Sequence, residues 1–215
     1  MELLSTLLAR SVFIFELDAL NPFGKYNASE AFEALQSRYS FAKTPQGVPE
    51  ITLEKAAEFV SGRLGEIAID RLQMYPNGIL VDTRSSTKDS EFIADDIIQT
   101  ARELLGSLVV AERKHFVSQI TYRSQMRLEK MNPVLAEIAT YIEDSLSDSL
   151  KQGFIVDTTG VILNIDNTQA RITPAKFTVE RRTDVPFVDN IYFSSAPMHS
   201  DIHIKFVEKL EASLL

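Results

Sequence analysis

Two carboxylates stand where a divalent cation could be put to use. Asp82 and Asp157 each close an apolar run, Gly78-Ile79-Leu80-Val81-Asp82-Thr83 and Gly153-Phe154-Ile155-Val156-Asp157-Thr158. Carboxylates at strand ends can converge on Mg²⁺ or Mn²⁺, which then activates water or polarises the bond to be broken. Asp166 and Glu180 are further acids, and Lys176, Arg181 or Arg182 could supply the neighbouring cation. Asp82, Asp157 and Glu180 as metal ligands, with Lys176 as acid, base or charge stabiliser, would describe a metal-dependent hydrolase or nuclease. An Asp-Thr ending also serves a turn, through side-chain hydrogen bonds to the backbone. The two runs match over six positions and then diverge, one into a helix and the other into a strand, which is too little for a duplication.

The histidines offer less. His199 and His203 are four residues apart, a spacing that clamps a metal when both lie on one helix. Ser200 reads as the N-cap of that helix, however, which leaves His199 outside it. The pair also lacks the Glu of an HExxH motif. His115 stands alone, there is no GxSxG elbow, and Ser194-Ser195-Ala196-Pro197 reads as a loop before the last helix. Neither GxxxxGK[ST] nor GxGxxG occurs. With no cysteine, thiolate catalysis, Cys-ligated zinc, iron–sulfur clusters and disulfides are excluded. No cofactor is implied.

Charge gives a third lead. The chain carries 22 Lys and Arg against 30 Asp and Glu, a net of −8. Residues 113–130 run the other way, with Arg113, Lys114, Arg123, Arg127 and Lys130 against Glu129 alone. Phe116 and Tyr122 interleave with these cations, the composition of a surface on which bases stack while cations follow phosphate. The same segment could meet an acidic helix of its own chain or an acidic partner. Arg113, Lys114, Tyr122, Arg123, Arg127 and Lys130 are therefore the expected partner-binding residues.

The elements that must position these groups can be read from periodicity. Asn27 and Glu30 form a capping box for a helix over about 28–39. Thr52 can cap a second helix carrying Leu53, Ala56, Ala57 and Val60 and stopped by Gly62 and Gly65. Pro76-Asn77-Gly78 joins Glu66–Tyr75 to Ile79-Leu80-Val81 as a hairpin. Ser86 or Thr87 opens a long helix ending at Gly106, with Ile93, Ile97, Ala101, Leu104 and Leu105 inward. Leu108–Tyr122 is extended. Asn132-Pro133 starts a helix with Leu135, Ile138, Ile142 and Leu146 as a core stripe and Glu137, Asp144 and Asp148 outside. Phe154–Val156, Val161–Ile165, Ile172–Arg182 and Ile191–Phe193 form a meander, with turns at Thr159-Gly160 and Asp166-Asn167. A last helix from Ser200 buries Phe206, Val207, Leu210 and Leu214. Leu3, Leu4, Leu7 and Leu8 line a short N-terminal helix.

The sum is an α+β fold: a mostly antiparallel sheet of hairpins and a C-terminal meander, packed by about four to six helices. A chain of 215 residues with 45% hydrophobic residues and no Pro/Gly/Ser-rich linker reads as one domain over 1–215, any subdomain seam falling near 106–132. Nothing resembles a signal peptide or the ~20 apolar residues of a membrane helix, so a cytoplasmic location is expected and no membrane partner. The leading expectation is a non-catalytic interaction protein, a homodimer or a subunit of a multi-component assembly. The metal-dependent hydrolase or nuclease is the alternative, and single-stranded nucleic-acid binding through residues 113–130 the second.

Overall fold

A computed structural model describes the chain except residues 25–26, 48, 112, 154, 165 and 167–174. In chain order the elements are β1 (Glu2–Ile14), α1 (Ala28–Tyr39), β2 (Ala57–Leu64), β3 (Ile67–Tyr75), β4 (Gly78–Thr83), α2 (Thr87–Leu105), β5 (Arg113–Arg123), α3 (Pro133–Leu150), β6 (Gly160–Leu163), β7 (Phe177–Arg181), β8 (Ile191–Ala196) and α4 (Ser200–Leu214). Short 3-10 turns lie at Leu17–Leu20, Leu128–Met131 and Phe187–Asp189. The class is α+β, and the eight strands form one antiparallel sheet in the order β2-β3-β4-β1-β5-β8-β7-β6. Four α-helices among the described residues put the count at the bottom of the expected range. None of these helices is long and apolar enough to cross a membrane.

The chain divides into two compact units, one of residues 6–119 with 197–201, the other of 1–5, 120–196 and 202–215. The first is organised by the β3–β4 hairpin. Tyr75 pairs with Gly78, leaving Pro76 and Asn77 as a two-residue turn. Gly78 has a φ of +147°, and a Cβ there would stand 2.1 Å from the Phe13 carbonyl oxygen, so only glycine lets β1 approach. α2 runs from a Ser86 cap, whose Oγ accepts from the Asp89 N–H at 3.1 Å, to Gly106 in the left-handed region. It lays Ile93, Ala94, Ile97 and Ala101 onto a core that includes Phe13, Leu72, Ile79 and Val81. α1 begins with the expected capping box, Asn27 Oδ1 to the Glu30 N–H at 2.9 Å and Glu30 Oε2 to the Asn27 N–H at 3.0 Å.

Two expected helices are strands. The N-terminal leucines belong to β1, where Ala9, Ser11 and Phe13 are buried in alternation. Their spacing fits either period, and pairing with β4 from Ala9↔Thr83 to Ile14↔Gly78 decides it. Residues 57–64 likewise pair with β3 as β2, burying Ala57 and Phe59 two apart. Thr52 still caps locally, its Oγ1 accepting from the Lys55 N–H at 3.0 Å, but no helix follows.

In the other unit, β6, β7 and β8 form the expected C-terminal meander, Val161 pairing with Val179 and Val179 with Ser194. Of the runs expected there, Phe154, Ile165, Asn167 and 172–174 lie outside the described residues, and 155–159 form no strand. Tyr122 and Tyr192 stack with ring centroids 5.8 Å apart, and the Tyr192 hydroxyl donates to the Met126 carbonyl at 2.9 Å. α4 buries Val207 and Leu214, while Phe206 is more exposed than expected and leans edge-on against Phe177 at 4.7 Å.

Candidate functional site

Most of the cations of 113–130 are already committed within the chain. Lys114 Nζ lies 3.0 Å from Glu91 Oε1 and 3.1 Å from Asp95 Oδ1, and 4.4 Å above the Phe13 ring. Burial alone would lower its pKa, but the two carboxylates together hold it above the ordinary lysine value. Arg123 pairs with Glu2 at 2.6 Å, Arg127 pairs with Glu129, and Lys130 donates to the main-chain oxygen of Leu215 at 2.6 Å. Arg113 is exposed. Tyr122, expected on this surface, has no solvent exposure, and burial pushes its phenol pKa up. Phe116 is stacked on His199 at 3.7 Å. Neither aromatic is an open platform for a base, so the nucleic-acid reading lacks its stacking element.

The carboxylates are engaged too. Asp82 sits opposite Arg10 in the β1–β4 register and receives a bidentate pair from it, 2.7 Å from Nε and 2.9 Å from Nη2, with 4% of the residue exposed. Such a fork is the strongest hydrogen-bonded use of a carboxylate by an arginine. Asp157 lies 3.5 Å from Arg181 and bonds the Thr158 N–H at 2.7 Å, a turn role. Glu180 is exposed on β7, opposite Phe193. Lys176 precedes that strand. Among the described residues no three His, Asp or Glu side chains gather as metal ligands.

His199 and His203 are held by contacts within the chain. His199 Nδ1 is 3.3 Å from Thr87 Oγ1, beside the Ser200 hydroxyl that accepts from the Thr87 N–H at 3.2 Å. His203 is fully buried, its Nε2 2.8 Å from Ser194 Oγ, and burial lowers its pKa to about 4. The Ser194 proton goes to the Thr178 carbonyl at 2.7 Å, so the hydroxyl accepts from His203. That polarity is opposite to what activating a serine nucleophile requires. A cavity of about 370 Å³ opens between α1, α2 and the Leu17–Leu20 turn, lined mainly by Leu, Ile, Ala, Phe32 and Met74. Arg38 at its edge is committed to Asp96, at 2.6 and 2.8 Å.

What remains unused is α3. Asn132 Oδ1 caps it by accepting from the Val134 N–H at 3.1 Å, Pro133 takes the first position, and Lys151 ends it at φ +54°. Thr140, Ser145 and Ser149 return their hydroxyls to carbonyls one turn back. The helix is thus internally satisfied, yet none of its residues is buried. The stripe expected to face the core is in solvent: Leu135 is 43% exposed, Ile138 47%, Ile142 41% and Leu146 37%. Val134, Tyr141 and Leu150 widen it, each at least 60% exposed. At 100° per residue these seven cover about half of the helix circumference. The less exposed positions are instead Ala136, Ala139, Glu143 and Ser147, and among the described elements the helix packs substantially only on the Leu128–Met131 turn before it.

Glu137, Asp144 and Asp148 lie together along one side of the stripe, Glu143 falls on the less exposed face with Ala136, Ala139 and Ser147, and residues 133–150 contain no Lys or Arg. Covering what is left exposed of the seven side chains is worth on the order of 1 kcal/mol each. The sequence pattern identified these residues as an apolar face, and the expectation that they face the chain's own core is corrected by their exposure. The signal available was the cation-free acidic border. No protein-family model matches the chain, and no curated protein matches its sequence.

Proposed function

We propose that the protein is a non-catalytic interaction protein, working as a homodimer or as a subunit of a multi-component assembly. The observation that carries this reading is α3, an 18-residue helix without a buried residue whose large apolar side chains share one exposed face. A contiguous apolar patch bordered by charge is how a soluble surface meets another macromolecule. The groups that could do chemistry support the same reading from the other side. Asp82 is neutralised by Arg10, and His203 is buried and donates to Ser194.

The test compares the full chain with the Ile138→Asp, Ile142→Asp double variant, both by light scattering and by affinity isolation from the cells that make the protein. The wild type should give the mass of a dimer or carry a stoichiometric protein partner, and the variant should lose that species with its circular dichroism unchanged. A wild type that is monomeric and partner-free, or an association that the variant retains in full, would refute the proposal.

A further inference from the structure

The border of the α3 stripe narrows the partner: we infer that this face receives an amphipathic helix of another protein, one that carries Lys and Arg along the edge of its own apolar face that meets Glu137, Asp144 and Asp148. The inference rests on the reading of α3 as an interaction surface and adds the chemistry of what it binds. From Val134 to Leu150 the stripe runs about 24 Å along the helix, the length of a four- to five-turn helical partner. Its apolar positions 135, 138, 142 and 146 follow the seam by which one helix packs on another. The charges then select among occupants, because rim charges set specificity and association rate more than they set affinity.

A second copy of the chain fits poorly. With no cation between 133 and 150, pairing α3 on itself sets acid against acid in either orientation. In an antiparallel pair centred on Ile142, Glu137 falls beside Asp148 of the copy, twice by symmetry. The nearest cation, Lys151 at the helix end, would lie opposite Pro133, a turn away from Glu137. An anionic membrane surface fits no better, since interfacial helices carry Lys and Arg where this one carries Glu137, Glu143, Asp144 and Asp148. A helix with a basic border satisfies the acidic edge, and the chain's net charge of −8 attracts it from a distance.

The test uses two synthetic helical peptides as long as α3, with identical leucine stripes, one bordered by Lys and the other by Glu, titrated with the full chain and followed by fluorescence anisotropy. The Lys-bordered peptide should bind at least ~10-fold tighter than its Glu counterpart, with the gap narrowing as salt is raised. Ile138→Asp with Ile142→Asp, which keeps every acidic residue, should weaken that binding ~10-fold or more, because it removes the apolar seam. Replacing Glu137, Asp144 and Asp148 together by Lys should invert the preference between the peptides. The substituted positions 137, 138, 142, 144 and 148 are all solvent-exposed, and circular dichroism checks that the helix survives.

Equal binding of the two peptides overturns the inference. So does Lys-peptide binding that ignores the Ile138/Ile142 variant, which would be attraction to an acidic protein at large. Self-association abolished by that variant, with no peptide binding, would assign the face to a second copy; the interaction reading would then stand and the basic-helix partner would fall. Variant-sensitive binding to vesicles containing anionic lipid would overturn it in favour of a membrane. Loss of the variant's effect in both the peptide and the association experiments would remove both readings together.

Discussion

Replacing His203 by Gln should flatten the acid limb of the stability curve, and the size of the effect follows from the geometry. His203 is fully buried on α4, with Nε2 2.8 Å from Ser194 Oγ and the Phe177 ring edge-on at 6.3 Å. Because Ser194 gives its only proton to the Thr178 carbonyl, the neutral ring is held as its Nε2-protonated tautomer. Burial lowers the folded-state pKa to about 4 from 6.5. Below pH 6.5 the unfolded chain takes up a proton that the folded chain refuses. The imidazole's contribution is therefore complete above that value and is lost as pH falls toward 4. At about 1.4 kcal/mol per unit the loss sums to about 3 kcal/mol. Urea denaturation of the wild type and of His203→Gln over this range measures it, and carboxylates that titrate in both proteins cancel in the difference. The variant should start about 1 kcal/mol less stable near neutrality through the lost hydrogen bond, and the two curves should converge or cross as the medium is acidified. Curves that stay parallel from neutrality to pH 4 would refute the assignment of a buried neutral imidazole.

Two further substitutions test the frame that carries these groups. Gly78→Ala should cost about 3 kcal/mol or more in chemical denaturation, since its Cβ would meet the Phe13 carbonyl at 2.1 Å. Gly65→Ala, with φ +56° and open space around it, should cost only about 1 kcal/mol; equal losses would contradict the close approach of β1. Asp82→Asn should lower stability by about 2 kcal/mol, because it leaves the Arg10 guanidinium with half of its fork and no counter-charge. If Asp82→Asn left the melting temperature unchanged but altered a metal-dependent signal, the carboxylate would have the other role its sequence position suggested.

Local chemistry with a single solution was legible in the sequence. The Asn27/Glu30 capping box, the Pro-Asn turn before Gly78, the Ser86 and Gly106 caps of α2 and the Asn132-Pro133 start of α3 each name one backbone geometry, and each is present. Patterns that two periods share were not. Leu3, Leu4, Leu7 and Leu8 and the Leu53–Val60 spacing satisfy a helix, but the β3–β4 hairpin offers unpaired backbone on both sides, and ladder formation outweighs a weak helical preference. The candidate sites were less legible still. Charge counting found the basic segment but could not foresee that Glu91 and Asp95 would meet Lys114 and that Glu2 would meet Arg123. Ile120 and Tyr122, two apart on an extended strand, share a face, and that face is core. For α3, amphipathicity specified a face that must be covered and said nothing about whether the cover belongs to the same chain.

The most direct measurement places a photo-reactive amino acid at Ile138, in the exposed stripe, or at Thr140, exposed on the opposite side of the same helix, and irradiates cells producing the full chain. One discrete cross-linked species is expected from position 138 and none from position 140. Cross-linking equal at the two positions, or missing from position 138, would contradict the claim that the apolar face of α3 is where this protein meets its partner.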